Sequence, residues 1–391
     1  MDIIIIGAGP SGMMCAINAK NENNKVIVIE KNDKPGKKLL LTGSGRCNYA
    51  NENFEESFYF SENMDAIKNI INEKNKNKMF SSLEKIGIYP DIINGYYYPY
   101  SHNSSSVNNL LYEKCNNKGI KFIFNEEVID IKKIDNKYII NDKYKCDKLV
   151  IASGGKSYPK TGSDGKLYSL IKRFGHSVTN LYPCLTQIKT NPIKELSGVR
   201  LNASVSLYDN DKFLAKEKGE LQFIDYGVSG ICIFNLSCYV KKDNLTLKIN
   251  FLPETNNFFE ERFNKLPKLS LINSLESIVN YKVLKYIFKK TKINENARFK
   301  SLTENEKKLL KDSLTSFTLN VLGTNDYDKA QVTMGGISLL EINLDTMESK
   351  LTNNLYLIGE IIDLTGKCGG YNLMECFITG LISGKDINDK S

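Results

Sequence analysis

The sequence predicts an α/β protein. A doubly wound, Rossmann-like dinucleotide-binding domain opens and closes the chain, and an antiparallel β subdomain and a helical subdomain are inserted between its parts. Three observations carry this. Residues 1–30 read as strand, glycine-rich turn, helix, strand and terminal acid. Apolar strands running into small residues recur at 148–155, 330–337 and 355–360. Between about 185 and 315 the hydrophobic period changes, first to short alternation and then to helical spacing.

The run Asp2-Ile3-Ile4-Ile5-Ile6 reads as a buried parallel strand. Gly7, Gly9 and Gly12 follow at dinucleotide-binding spacing, with Pro10 and Ser11 among them. The first glycine allows a tight turn, the second lets backbone approach a pyrophosphate, and the third lets helix and strand pack closely. The helix N-terminus then presents unpaired N–H groups and a positive dipole end to phosphate. Lys25 to Ile29 is a second strand, closed by Glu30 where an acid accepts from a ribose hydroxyl. That acid disfavours a 2′-phosphate, so FAD or NAD is expected rather than NADP. No further strand and no targeting segment is expected before residue 1.

At 391 residues the chain has length for two or three domains and a large core. It is 41% apolar and 25% charged, ordinary for a globular protein. The longest apolar runs fall far short of a membrane span. Nine cysteines lie scattered without a CxxC pair, so neither a metal site nor a disulfide framework is expected; the chain reads as cytoplasmic, with reduced thiols. The net charge of +8 is concentrated: Thr255 to Lys311 holds 13 Lys and Arg against 6 Asp and Glu. An anionic partner is one reading of that segment, and a solvated helical surface is the other.

After Glu30, Lys31 to Lys38 form a polar, turn-rich loop. Gly43-Ser44-Gly45 then precede Arg46-Cys47-Asn48. Such small residues suit backbone that passes close to something flat or anionic, to which Arg46 can donate. Residues 63–119 read as mostly helical, broken by Gly87, Pro90 and the aromatic run Tyr96 to Tyr100. Lys121 to Phe124 and Val128 to Ile131 read as strands, with a hairpin at Asn141-Asp142. Lys148 to Ile151 runs into Ala152-Ser153-Gly154-Gly155, at the place where a doubly wound sheet meets its ligand. Ala203 to Leu207, Gly219 to Phe223 and Leu245 to Ile249 alternate as antiparallel strands. The stretch Asp225 to Gly230 carries more small residues than a connection needs. Leu269, Ile272, Leu275, Ile278 and Leu284 mark a helical core. Near the end, Val332 to Met334 leads to Gly335-Gly336, Leu355 to Ile358 leads to Gly359-Glu360, and Gly369-Gly370-Tyr371-Asn372 opens a helix over Leu373 to Ser383. Glu360 can accept from a ribityl hydroxyl. The N–H groups of Asn372 to Met374 can face a flavin ring, worth roughly 0.3–2 kcal/mol to its reduced form.

Taken together, the motifs resemble the two-dinucleotide-fold FAD-dependent family that includes aminoacetone-oxidase-like proteins, bile-acid ene-reductases and ribosomal RNA dihydrouridine synthases. The Gly-Arg-Cys-Asn and Gly-Gly-Tyr-Asn stretches are more specific than the opening fingerprint. Two positions depart from the family: Ile224-Asp225 stand before Tyr226 where Thr-His is frequent, and Ile231 follows Ser229-Gly230 where Pro is frequent. The resemblance implies a FAD domain split into 1–187 and 335–391, a β-barrel subdomain over 188–254 and 316–334, and a basic helical subdomain over 255–315. It places FAD against Gly7, Gly9, Pro10, Ser11, Gly12, Glu30, Lys31, Lys38, Gly45, Arg46, Cys47, Asn48, Val128, Ser153, Gly154, Gly155, Gly335, Gly359, Glu360, Gly370, Tyr371, Asn372 and Leu373.

The activity that the resemblance implies is reduction of uridine to dihydrouridine in 23S ribosomal RNA. Reduced flavin delivers hydride to C6 and an acid protonates C5, a step worth roughly 10²–10⁴-fold. Cys368, Tyr226 and Cys47 are the candidate acids. Lys282, Lys285, Lys289, Lys290 and Lys292 are candidate RNA contacts. NAD(P)H is the expected reductant, although no second complete glycine fingerprint is present. A small-molecule ene-reductase or amine oxidase is the alternative enzyme; a non-catalytic flavin-binding RNA or assembly factor is the alternative outside catalysis. These lysines exposed on one open face beside the flavin mouth favour RNA; pointed away, they favour the small molecule.

Overall fold

Ile3, Ile4, Ile5 and Ile6 are all buried, so the first strand is covered on both faces, as an unbroken β-branched run requires. The computed structural model describes residues 1–242, 244–255 and 257–391. It divides into two units, Met1–Pro183 with Tyr327–Ser391, and Cys184–Asp326. In the first unit Asp2–Ile6 pairs in parallel with Lys25–Ile29 on one side and Lys148–Ile151 on the other. Lys121–Ile123 extends the first side and Leu355–Leu357 the second, both parallel. A short antiparallel pair, Ile342–Asn343 and Glu348–Ser349, finishes the edge beyond Leu355–Leu357. The strand order reverses between Asp2–Ile6 and Lys148–Ile151, and such sheets bind ligands in the crevice beyond the carboxyl ends of those two strands.

The helix Pro10–Ala19 starts on a proline, whose fixed φ suits a first helical position. It packs along the C-terminal helix Tyr371–Asp389, which is longer than the 373–383 expected. A Cβ on Gly380 would lie 2.4 Å from the Ser11 carbonyl oxygen, and one on Gly384 2.6 Å from that of Cys15. The two helices therefore meet backbone to backbone.

Several elements differ from the sequence reading. The stretch 63–119 is mostly helical as read, in the three helices Met64–Ile70, Glu73–Ile86 and Ser104–Asn117, but its break is more regular than expected. Tyr96–Pro99 is a strand, paired with Pro90–Ile93 and Ala50–Asn51. Val128 to Asp130 is loop, and the strand begins only at Ile131. The Asn141-Asp142 turn forms as expected, with both residues at positive φ between Lys137–Ile140 and Tyr144–Cys146.

The second unit is a closed six-stranded barrel in the order Ile188–Thr190, Gly227–Ser229, Lys212–Ile224, Arg200–Asp209, Leu245–Asn250, Phe317–Thr324. Leu245, Leu247 and Ile249 face in, alternating with Thr246, Lys248 and Asn250. The small residues at 225–230 are accounted for by closure. A Cβ on Gly227 would lie 2.1 Å from the Ile188 carbonyl oxygen, and one on Gly230 2.1 Å from that of Glu220. The β and helical subdomains expected over 188–334 share one core: Leu271, Val283, Leu284, Ile287 and Leu310 cluster with Val205, Leu247 and Ile249. Val332–Met334 falls in the first unit. Leu269 is exposed because it lies in the turn ahead of the helix Leu271–Leu275, outside the helical period.

One expectation is overturned outright. Cys184 and Cys238 form a disulfide, while the other seven cysteines are in none. They lie 54 residues apart in sequence, and the barrel entry and the end of the helix Ile231–Ser237 bring their Cα atoms to 5.0 Å. No local spacing could announce that pair. Among the described residues no helix is long and apolar enough to cross a membrane, and no group of acidic, His or Cys side chains could hold a metal.

The close helix contact gives a direct test. Gly380→Val should lower stability by about 1–3 kcal/mol through overpacking, read as a shift of the denaturant midpoint.

Candidate functional site

At the turn after the first strand, each glycine answers to a different constraint. Gly7 has φ +106°, and a Cβ there would lie 2.3 Å from the Ala152 carbonyl oxygen; at Gly12 it would lie 2.0 Å from that of Gly7. Gly9 is demanded by neither. Its φ is −79°, and a Cβ on it would meet no protein atom within 4 Å. What remains is close approach by a ligand, in front of first-turn N–H groups that have no partner within the helix. Glu30 is buried beside this turn. Its Oε2 accepts from Ala8 N at 2.8 Å, and its Oε1 accepts from Asn32 N and Nδ2 at 2.9 and 2.7 Å. Asn125 and Glu126 donate their N–H groups to the Asn32 and Glu30 carbonyls, so the loop carrying buried Val128 passes the same strand end. Lys31 is turned instead to Glu127 and Asp164, at 3.2 and 2.7 Å.

The last parallel strand ends against the same helix. Gly359 has φ +70°, and a Cβ on it would lie 2.5 Å from Ser11 Oγ. The next residue, Glu360, takes both oxygens to Lys38 Nζ, at 2.8 and 2.6 Å, and accepts from Thr333 N at 2.9 Å. Lys38 also donates to the Ser157 carbonyl at 3.2 Å. Gly155 faces this group: a Cβ would lie 2.6 Å from Thr333 Oγ1 and 3.1 Å from Glu360 Oε1. A carboxylate has about four acceptor positions, so Glu360 keeps room for one more donor. Ser153 Oγ makes only a long bond to the Gly154 carbonyl, 3.5 Å. Gly335 is set by packing, since a Cβ there would lie 2.3 Å from the Asn180 carbonyl oxygen. Two groups here were not signalled by the sequence: the buried hydroxyls of Ser163 and Tyr168, neither of which has a protein partner.

At the start of the C-terminal helix, Gly370 caps with φ +96°, and a Cβ on it would lie 2.5 Å from the Ala50 carbonyl oxygen. Asn51 Nδ2 donates to the Gly369 carbonyl at 3.0 Å. Asn372 bonds the N–H and carbonyl of Gly366, at 2.9 and 2.8 Å. The Tyr371 ring stacks on Phe58 with centroids 5.0 Å apart. The loop 366–370 is thus held from both ends, and the backbone N–H groups of Tyr371, Asn372 and Leu373 follow it. On the facing segment, exposed Arg46 lies 5.1 Å from the centroid of the Tyr98 ring, and Gly45 has φ +86° with open space at its Cβ position. The Asn48 amide nitrogen reaches the Ala50 and Tyr97 carbonyls, at 3.0 and 3.2 Å.

The three candidate acids separate. Cys47 is fully buried, and burial pushes its thiol up to about 12, so it packs under the loop and cannot meet a substrate. Cys368 is half-buried on the loop 366–370, and burial raises its thiol to about 11. Tyr226 belongs to the barrel unit, where it is half-exposed and its hydroxyl accepts from Asn325 Nδ2 at 3.0 Å. Sequence reasoning also passed over Glu375, in the first turns of the C-terminal helix. It is buried, and burial raises its carboxyl to about 8.

Glu375 sets a pH dependence. Its folded value lies above the ordinary 4.5, so between roughly pH 4.5 and 8 the folded chain holds a proton that the unfolded chain releases. Stability therefore falls as pH rises through that window, at most about 1.4 kcal/mol per pH unit. Glu375→Gln should flatten this slope between pH 5 and 8, measured by denaturant unfolding of both proteins.

The arrangement fits FAD: a free approach at Gly9, an acid at the second strand end, the Lys38–Glu360 pair, and a helix N-terminus beyond loop 366–370. The comparisons agree. Residues 1–386 match the family model described as the HI0933-like protein Rossmann domain. The chain is 30% identical over 398 residues to the 3-dehydro-bile acid delta(4,6)-reductase of Clostridium scindens, covering 97% of each. It is 28% identical over 397 residues to the ribosomal RNA dihydrouridine synthase of Escherichia coli, covering 99% of this chain and 98% of that one. Among solved structures, a flavocytochrome c3 fumarate reductase in its open conformation aligns with a TM-score of 0.53 at 14% identity, over 99% of this chain and 78% of that one. The 3-ketosteroid-delta4-(5alpha)-dehydrogenase of Rhodococcus jostii RHA1 aligns with a TM-score of 0.51 at 12% identity, over 99% and 96%. These two show the fold alone. The chain belongs to the HI0933-like Rossmann-domain family and is an FAD-dependent oxidoreductase.

Proposed function

We propose that the protein reduces uridine to dihydrouridine in large-subunit ribosomal RNA, in the cytoplasm, with NAD(P)H as reductant. The observation that carries the RNA reading is the surface of the helix Tyr281–Thr291. Val283, Leu284, Ile287 and Phe288 bury one side of it. Lys282, Lys285 and Lys289 stand on the other with Tyr281 and Tyr286, lining an open groove of about 790 Å³. Lys285 and Lys289 are paired with Glu295 and Glu195, at 2.8 and 3.4 Å. Exposed pairs of this kind are weak, so phosphate can compete for them. Lys290 is turned over the Phe317 ring, 5.4 Å away, and Lys292 is exposed beyond the helix. The E. coli relative's name supports the same substrate.

Bound FAD supplies the electron pair that reduces the C=C bond. The chain supplies the rest. Gly9 and the first helix hold the pyrophosphate, Glu30 the ribose, Glu360 with Lys38 the ribityl chain, and Tyr371 to Leu373 the ring's polar edge. The uracil must leave its stack to reach the site. Its carbon then needs a proton. Cys368 holds one at neutral pH. Tyr226 is the other candidate donor: its oxygen accepts from Asn325, which leaves its own hydrogen directed elsewhere. A second reading, an ene-reductase acting on a small molecule, is supported by the C. scindens relative's name.

Two measurements decide between them. Ribosomal RNA from a deletion strain should lack a dihydrouridine that its parent carries; unchanged modification removes the RNA reading and leaves the flavoenzyme. Replacing Lys282, Lys285 and Lys289 with Ala should weaken binding of a ribosomal RNA fragment and flatten its salt dependence, by about 0.7–0.9 in log–log slope per lost phosphate contact.

A further inference from the structure

The groove beside the helix Tyr281–Thr291 is lined by aromatic rings as well as by lysines. Tyr281 is 53% exposed, although Val283, Leu284, Ile287 and Phe288 already bury the other side of its helix. Tyr286 is half-buried. Its ring meets Phe317 in an edge-to-face contact, with centroids 6.1 Å apart, and still lines the groove.

The rings and the charges alternate. On a helix, residues four apart are neighbours, about 5–6 Å between Cβ atoms. Tyr281 is followed at that interval by Lys285 and then Lys289, and Lys282 by Tyr286. Each tyrosine in the groove therefore has a lysine one turn away. The two acids there, Glu195 and Glu295, pair with Lys289 and Lys285, at 3.4 and 2.8 Å. Three lysines against two acids leave the groove positive. It lies in a segment, 255–311, that holds 13 Lys and Arg against 6 Asp and Glu.

Charge alone would suit any RNA, but the tyrosines would not. In a duplex the bases are stacked on one another, and a protein meets mainly phosphate and 2′-hydroxyl oxygens. An unpaired base offers a free face on which an aromatic ring can stack. We propose, building on the RNA substrate proposed above, that this groove binds an unpaired stretch of RNA. One base stacks on Tyr281 and another on Tyr286, and Lys282, Lys285 and Lys289 hold the phosphates between them. Charge then attracts the strand, and stacking selects its unpaired form.

The test uses the FAD-loaded full chain and two fluorescein-labelled probes, read by fluorescence anisotropy: a single-stranded RNA of about 12 nucleotides, and the same strand annealed to its complement. Tyr281 is exposed at the first position of its helix. Asn280, which caps that helix by accepting from Lys282 N at 2.9 Å, stays in place, so the Tyr281 variants keep the fold. Tyr281→Ala should bind the single strand about 5- to 10-fold more weakly, and the duplex within about twofold of the parent. Its slope of log affinity on log salt should not change, because no phosphate contact is lost. Tyr281→Phe, which keeps the ring, should bind the single strand within about twofold of the parent. Lys285→Ala should weaken both probes and flatten the salt slope. A Tyr281→Ala protein that binds the single strand as the parent does, or that loses strand and duplex equally, overturns the proposal and leaves the RNA substrate standing. A parent that binds neither probe overturns both.

Discussion

The structure depends on the closure of the chain's two ends over one helix N-terminus. Ser11 is where they meet: its hydroxyl faces Gly359 at the end of the last parallel strand, and its carbonyl faces Gly380 in the C-terminal helix. Neither approach leaves space for a Cβ. Because the backbones come this close, the first-turn N–H groups and Glu360 fall on one crevice although about 350 residues of sequence separate them. The turn at Gly9 and the pair Lys38–Glu360, proposed to hold FAD, sit on the segments that this contact brings together.

Glu30 is pinned by three protein donors and Glu360 by two, Lys38 and Thr333, so their oxygens hold position. Preorganised groups of this kind lose little freedom when a ligand arrives. At the far end, Asn372 and the Tyr371 ring immobilise loop 366–370, which carries Cys368 as a neutral thiol. Burial raises the carboxyl of Glu375 behind it to about 8, which favours the uncharged form near the start of the C-terminal helix.

Legibility in the sequence followed locality. The opening unit could be read because each part has a local signature: a β-branched run, glycine spacing and a terminal acid. The strand endings at Gly154, Gly335 and Gly359 were visible for the same reason. What escaped was set by tertiary partners. The Cys184–Cys238 bond joins residues with no spacing signal. The glycines at 227 and 230 were more than a connection needs, and they lie where barrel strands crowd one another. Cys47 stands in a specific motif, yet only the structure shows it sealed from solvent. Ser163, Tyr168 and Glu375 are common residue types whose interest comes wholly from burial without a full set of partners.

The central claim, that segments from both ends of the polypeptide together hold one FAD, is tested most directly by equilibrium titration of the purified full-length chain with FAD, followed by its visible absorbance. The account predicts saturation at one flavin per chain, lost when Gly359 is replaced by Val although the N-terminal fingerprint is untouched. A chain that stays colourless when offered FAD, or a Gly359→Val protein that is folded and binds as tightly as its parent, would contradict it.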